Sequence, residues 1–167
     1  QVSMLDLAAN PMLLAGLGLL VVGFAFKVAA VPFHTWAPDV YDGAPTPVTG
    51  FMATAVKAAA FAALFRVLVE ALPGVPAAAA VIGGLALVTM VVGNVFGLVQ
   101  TNVKRMLAYS SIAHAGYLLA GLGAMGWSTS TYPGKGALIY LTAYAFMNLG
   151  AFAVLAYLKA QAPHTFD

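Results

Sequence analysis

Two lysines stand out in this chain because almost everything around them is apolar. Lys27 lies in FAFKVAAVPF and Lys57 in ATAVKAAAF. Between them a proline-broken segment carries His34, Asp39 and Asp42, and His114 follows later in SSIAHAGY. A lysine at the centre of a bilayer costs about 2.5–3.5 kcal/mol on insertion scales. Desolvation brings its two protonation states closer in free energy, which proton exchange requires. One titratable site on a flexible stem fits such a lysine for passing protons along a water chain. The competing role is an ion pair that merely pins two helices. All five acids of the chain fall at expected helix ends or in loops, so two interior cations without an interior acid point to a relay.

The histidines are the next candidates, since the imidazole titrates near neutrality. His114 and His34 can each relay protons. The blander alternatives are a neutral histidine bonded inside a bundle for His114 and a helix-start residue for His34. Three histidines this far apart have no metal-ligand spacing. Tyr109, Ser110, Ser111, Tyr117 and Asn148 are weaker candidates, suited to ordering water.

These residues need elements to hold them, and the apolar runs supply them. The first run covers about residues 11–31, with Pro11 after Asn10 as a helix start. Pro32 then breaks the hydrogen-bond ladder, an amphipathic piece follows over 33–41, and residues 42–47 turn the chain. Either 11–31 spans alone, or 11–41 is one broken helix of about 45 Å, with Lys27 near its centre. A break at Pro32 frees backbone groups that in lipid must face protein or water, and in transporters such breaks line a hydrated cavity; a plain kink is the alternative.

The second span covers about 46–71 and places Lys57 roughly 16 Å from its start. Arg66 and Glu70 are spaced to pair at i, i+4, and residues 73–76 close the helix. A third span covers 77–100, where Gly93-x-x-x-Gly97 suits close packing and Asn94 suits an interhelical hydrogen bond. After a polar connection at 101–105, a less apolar fourth span covers 106–125. A loop over 126–134 places Trp127 and Tyr132 at an interface. The fifth span, 136–158, ends at Lys159 before a polar tail.

Composition decides the solvent. The chain is 62% hydrophobic and 7% charged, with mean hydropathy +0.94. A soluble domain averages about 45–50% apolar and about 25% charged. The 167 residues accommodate five or six membrane spans at about 20 residues each. The expected fold is an all-α, polytopic integral membrane bundle with one discontinuous, Pro-broken helix, forming a single helical unit.

A net charge of +2 is too small to suggest nucleic acid, and the absence of cysteine excludes disulfides and thiol chemistry. No phosphate loop, HExxH, GxSxG or nucleotide fingerprint occurs. The chain is therefore expected to hold no metal, no cofactor and no catalytic redox or hydrolytic centre of its own. No secretory signal is visible, and both ends read as cuts, as expected of a piece of a longer polytopic protein. Alternating spans put Asp6, Arg66, Glu70 and Lys135 on one side and Asp39, Asp42, Lys104, Arg105 and Lys159 on the other. Two cations against three favour the Lys104/Arg105 side as cytoplasmic.

With those residues in view, three stretches carry a resemblance: FKVAAVPFHTWAPDVYDGAPTPVTGFMATAVKAAAF, KRMLAYSSIAHAGY and YAFMNLGAFAVL. They resemble the core of NADH-quinone oxidoreductase subunit N, an antiporter-like membrane subunit of respiratory complex I. The resemblance covers about residues 11–160. The first stretch is highly specific, and the second is shared more widely among antiporter-like subunits. The VPFHTWAPDVY and YAFMNLGAFAV forms point to N over its sisters L and M.

The resemblance implies a fourteen-helix fold with two inverted five-helix repeats, this chain matching roughly helices seven to eleven. It favours the long reading of the first span, with the family's broken helix falling on Lys27 and Pro32. It implies that Lys27 is the central proton-channel residue and that Lys57 connects toward a polar axis along the membrane arm, with His114 at a polar position of that axis. The glutamate that partners the central lysine would precede Gln1, and an ionisable residue of the exit path would follow Asp167. NADH, FMN, iron–sulfur clusters and quinone are implied in other subunits, with further complex I membrane subunits and the lipid bilayer as partners. The implied location is the cell inner membrane. The competing readings are a subunit of a cation/proton antiporter or membrane-bound hydrogenase, or a purely structural subunit of the membrane arm.

Overall fold

The computed structural model describes residues 10–70, 76–127 and 132–161. Among these the chain forms six helices: α1 (Pro11–Val28), α2 (Trp36–Gly43), α3 (Thr46–Glu70), α4 (Pro76–Leu98), α5 (Val103–Ala124) and α6 (Tyr132–Gln161). The result is an all-α membrane bundle. Asp6, the closing residues 73–75, the loop at 128–131 and the tail beyond Gln161 lie outside the described residues.

Three helices are long and apolar enough to cross a bilayer by themselves: α3, α4 over Ala78–Leu98, and α6. Their outer faces carry large exposed hydrophobics such as Leu87, Val91, Val95, Ile139 and Phe146, as expected where lipid is the solvent. Helix α5 is one residue shorter than α4 and more polar. Half of its residues are buried, Ile112, Ala115, Leu118 and Leu122 among them, so it forms the centre on which α2, α3, α4 and α6 pack.

The α4–α5 crossing is close because both helices present glycine there. A Cβ built on Gly93 would lie 2.6 Å from the Ala113 nitrogen, and one on Gly116 would lie 2.8 Å from the Met90 nitrogen. Gly97, the second glycine of the expected pair, meets Tyr109 at an ordinary 3.5 Å, so Gly93 and Gly116 set the approach. Asn94 donates to the Tyr117 hydroxyl across this crossing, 3.1 Å.

The first span divides earlier than the position of Pro32 suggested. Helix α1 stops at Val28, and Ala29 takes left-handed backbone angles, φ 61° and ψ 43°. The Ala30 amide donates to the Ala25 carbonyl at 2.7 Å and the Ala29 amide to Phe26 at 3.1 Å. This is the Schellman pattern that closes helices. A left-handed residue with a Cβ costs about 1–2 kcal/mol, so the surrounding contacts must hold it. Pro32 stands two residues past the closing amide, where proline prevents resumption, and the helix restarts only at Trp36.

Candidate functional site

Helix α3 presents its small and polar residues inward at helical spacing, through Thr49, Ala53, Lys57, Ala60 and Leu64. Met52–Val56 widen into a π-helical turn immediately before Lys57, a distortion often found at functional positions. Within that stretch Thr54 donates to the Gly50 carbonyl at 2.7 Å.

Lys57 is 2% exposed. Its Nζ donates to the Ser111 carbonyl oxygen at 2.8 Å and to Ser111 Oγ at 2.6 Å. Ser111 Oγ is in turn 2.8 Å from the Tyr144 hydroxyl on α6. Among the described residues no carboxylate pairs with Lys57. Among the described residues the ammonium is therefore held by neutral oxygens alone.

His114 lies one turn along α5 from Ser111. Its Nδ1 shares a 2.5 Å hydrogen bond with the Tyr140 hydroxyl. Its ring stands 5.1 Å from that of Tyr144 and 5.6 Å from that of Tyr117, centroid to centroid. Lys57, Ser111, Tyr144, His114 and Tyr140 thus form one polar cluster among α3, α5 and α6. Asn94 and Tyr117 carry it outward to α4.

Lys27 lies elsewhere. It is exposed on α1 and lines a groove of about 600 Å³ with Leu20, Gly23 and Phe24 of its own helix and Phe51, Ala55 and Val56 of α3. Lys27 is the charged residue of an otherwise apolar lining. Among the described residues it has no hydrogen-bond partner. His34 and Pro32 sit in the connection between α1 and α2. The His34 Nδ1 is buried and unpartnered among the described residues, and Pro32 is exposed.

The backbone groups freed at the break meet protein. The Val31 amide donates to Thr89 Oγ1 on α4, 3.0 Å, and Trp36 Nε1 donates to the Phe26 carbonyl, 3.1 Å. The sequence left protein or a hydrated cavity as the destination for these groups. Thr89 and Trp36 meet these two because both reach the break from elements packed directly on it.

At the loop end, α2 and α5 cap each other. Asn102 Oδ1 accepts from the Lys104 and Arg105 amides, and its Nδ2 donates to Asp42 at 3.0 Å. The buried Lys104 donates to the Asp42 and Ala44 carbonyls at 2.5 and 2.7 Å. Arg105 pairs with Asp39 at 2.7 Å and lies 3.8 Å from Asp42. Arg66 and Glu70 pair at 3.1 Å.

Sequence reasoning passed over Tyr144, Tyr140 and Thr89, and it treated Ser111 as a water-ordering residue. Tyr140, Tyr144 and Asn148 recur at four-residue spacing on α6, and Tyr144 and Asn148 are both buried. That spacing was the available signal.

Comparison with known proteins now bears on this arrangement. Residues 2–167 match the family model described as NADH:quinone oxidoreductase/Mrp antiporter, transmembrane. The chain belongs to that family. Among curated relatives it is 60% identical over 144 residues to NADH-quinone oxidoreductase subunit N of Salinibacter ruber, an alignment covering 86% of this chain and 28% of the relative. It is 55% identical over 159 residues to subunit N 2 of Roseiflexus castenholzii, covering 93% and 32%.

Two solved assemblies contain similar chains. One is respiratory complex I from Thermus thermophilus with bound aureothin, at 46% identity and TM-score 0.67, covering 88% of this chain and 31% of that one. The other is the membrane-bound sulfane sulfur reductase, an archaeal respiratory complex, at 28% identity and TM-score 0.79, covering 93% and 32%. The chain spans under a third of the length of these relatives. Its membership in an antiporter-like membrane family places it in a membrane.

Proposed function

We propose that this chain is part of a proton-translocating membrane subunit of NADH-quinone oxidoreductase. In this reading Lys27, Lys57 and His114 lie on the proton path, with His34 beside the break at its edge. In this reading the chain supplies no redox centre. Electron transfer from NADH to quinone, with FMN and iron–sulfur clusters, belongs to other subunits of a hetero-oligomeric complex in the cell inner membrane. The Lys104/Arg105 end faces the cytoplasm, in line with the excess of cations there.

The observation that carries the reading is Lys57: a buried ammonium bonded, among the described residues, only to neutral oxygens of Ser111, which lies one turn along α5 from His114. Intramembrane ionisable groups are functional by default. A change of charge near Lys27 would alter the free energy of its protonated form, at about 1.4 kcal/mol per pKa unit. The proton it releases or takes up then passes through ordered water to Lys57.

The test is proton uptake per NADH oxidised by the whole complex in sealed vesicles. Lys27→Ala and Lys57→Met are each expected to lower uptake at least tenfold while NADH–quinone electron transfer remains measurable. Full uptake in both variants, with reduced assembly, would support the scaffold role instead.

A second reading rests on the higher TM-score to the sulfane sulfur reductase: the same fold serves complexes with other electron acceptors. The identities of 46% to a chain of respiratory complex I and 60% to an NADH-quinone oxidoreductase subunit N weigh toward NADH-quinone oxidoreductase. Co-purified partners separate the two, with NADH-oxidising subunits expected.

A further inference from the structure

Ser111 joins Lys57 to α6 through a single hydroxyl. The hydroxyl has one proton and two acceptor lone pairs. Once it accepts from the Lys57 ammonium at 2.6 Å, its own proton is free for the Tyr144 oxygen at 2.8 Å. The three groups come from three helices, and Lys57, Ser111 and Tyr144 are each at most 2% exposed. Buried polar groups of this kind are held by their mutual hydrogen bonds. The Ser111 carbonyl adds a second acceptor on the same residue, so one residue of α5 fixes the position of Nζ.

The geometry points to Ser111 and Tyr144 as positioning residues for Lys57: Ser111 seats the ammonium directly, and Tyr144 orients the Ser111 hydroxyl that receives it. This rests on the proton-path reading above and names residues which that reading does not contain. When Lys57 is charged, the Ser111 hydroxyl points away from it, toward Tyr144 of α6. When Lys57 is neutral, the amine can accept and the hydroxyl pair is free to reverse. The pair therefore carries the protonation state of Lys57 from α3 to the face of α6 beside His114, without moving a helix. The titratable groups around it are His114 on α5, Tyr140 and Tyr144 on α6, and Tyr41 on α2, which lies beside Ser111; Lys27 lies across α3 in the groove.

The experiment is proton uptake per NADH oxidised as a function of pH, on the whole complex in sealed vesicles, with assembled amount measured in parallel. Ser111→Ala removes an acceptor of the ammonium. It is expected to move the half-maximal pH of uptake to acid by about one unit. Tyr144→Phe, which removes one hydroxyl at constant ring volume, should move it the same way by less. Because Tyr144 acts through Ser111, adding Tyr144→Phe to Ser111→Ala should produce no further shift.

Normal assembly with unmoved profiles overturns the proposal, as does reduced assembly with unmoved profiles, the mark of a merely structural role. A Tyr144→Phe shift that adds in full to the Ser111→Ala shift also overturns it. Should Ser111→Ala fail to assemble, the Tyr144→Phe profile alone decides. Lys57→Met is the control: full uptake in that variant sinks the proton-path reading itself. Loss of uptake there, with unmoved Ser111 and Tyr144 profiles, sinks only the positioning role.

Discussion

Lys27 and Lys57 are the same residue on neighbouring helices, both embedded in apolar sequence, yet their surroundings are opposite. Lys57 points into the bundle, where Ser111 and Tyr144 enclose it and two glycines draw α4 and α5 together. Lys27 points out of α1 into an open groove whose far wall is the outer face of α3. The helix that carries Lys57 thus divides two environments, one complete within these residues and one open to whatever packs against α1. The difference teaches that an isolated lysine in an apolar run specifies that a polar environment is needed, and not which element provides it.

The largest expected effect separates the two sides by packing. Gly116→Val puts side-chain atoms where the Met90 nitrogen and the Ala86 carbonyl already stand, at 2.8 and 3.0 Å from even a Cβ. Backbone cannot yield there as a flexible side chain would, so the α4–α5 crossing opens and the folded protein should fall below detection in membranes. Gly23→Ala, in the groove of Lys27, meets nothing within 4 Å and should accumulate normally. Equal yields of the two variants would break the contrast between a tight inner side and an open outer one.

Next in size is the charge itself. Lys57→Met exchanges a buried ammonium for an apolar chain of similar length and leaves Ser111 still bonded to Tyr144. Burying a charge that no opposite charge pairs is costly, and an apolar chain of similar length removes that cost. The thermal midpoint of the Lys57→Met protein is therefore expected to hold or rise even as proton uptake falls. Lys27→Met, on an exposed position, should change the midpoint less. A marked drop for Lys57→Met would mean that the lysine is there to hold the helices together.

How much of this was legible follows from where the information sits. The helical class, the lipid solvent, both lysines and the Arg66–Glu70 pair are written in composition and local spacing, and the sequence places them directly. The break was misplaced by a few residues because proline is a visible signal and Ala29 is not. A left-handed alanine is held by tertiary contacts, and no local pattern marks it. Thr89 and Tyr144 were missed for a related reason. Each is a common residue in an apolar helix, and its importance comes only from what lies across the interface, 58 residues away for the Val31–Thr89 bond and 33 for Ser111–Tyr144.

Thr89→Val tests the point at which the two sides meet. The substitution keeps the shape and removes the oxygen that accepts from the buried Val31 amide. Leaving a buried donor without a partner costs about 1–3 kcal/mol. The expected result is a lower thermal midpoint together with faster amide exchange confined to the α1–α2 connection. Exchange rising instead around Lys57 would show that the break and the Lys57 cluster form one cooperative unit.

The smallest effect is expected at the loop end, where α2 and the turn that follows it are tied to α5. Arg105 and Asp39 make a 2.7 Å ion pair, but the Asp39 side chain is 72% exposed. Solvent and salt screen such a pair, so its contribution is at most about 1 kcal/mol. Arg105→Gln should lower the thermal midpoint only slightly, and moderate salt should reduce the difference further. Lys104 supplies the contrast, because its buried ammonium donates to two carbonyls at the end of α2, those of Asp42 and Ala44. Lys104→Gln should therefore cost more than Arg105→Gln and respond less to salt. Reversal of that order would mean that the exposed ion pair, and not the buried cap, fixes α2 against α5.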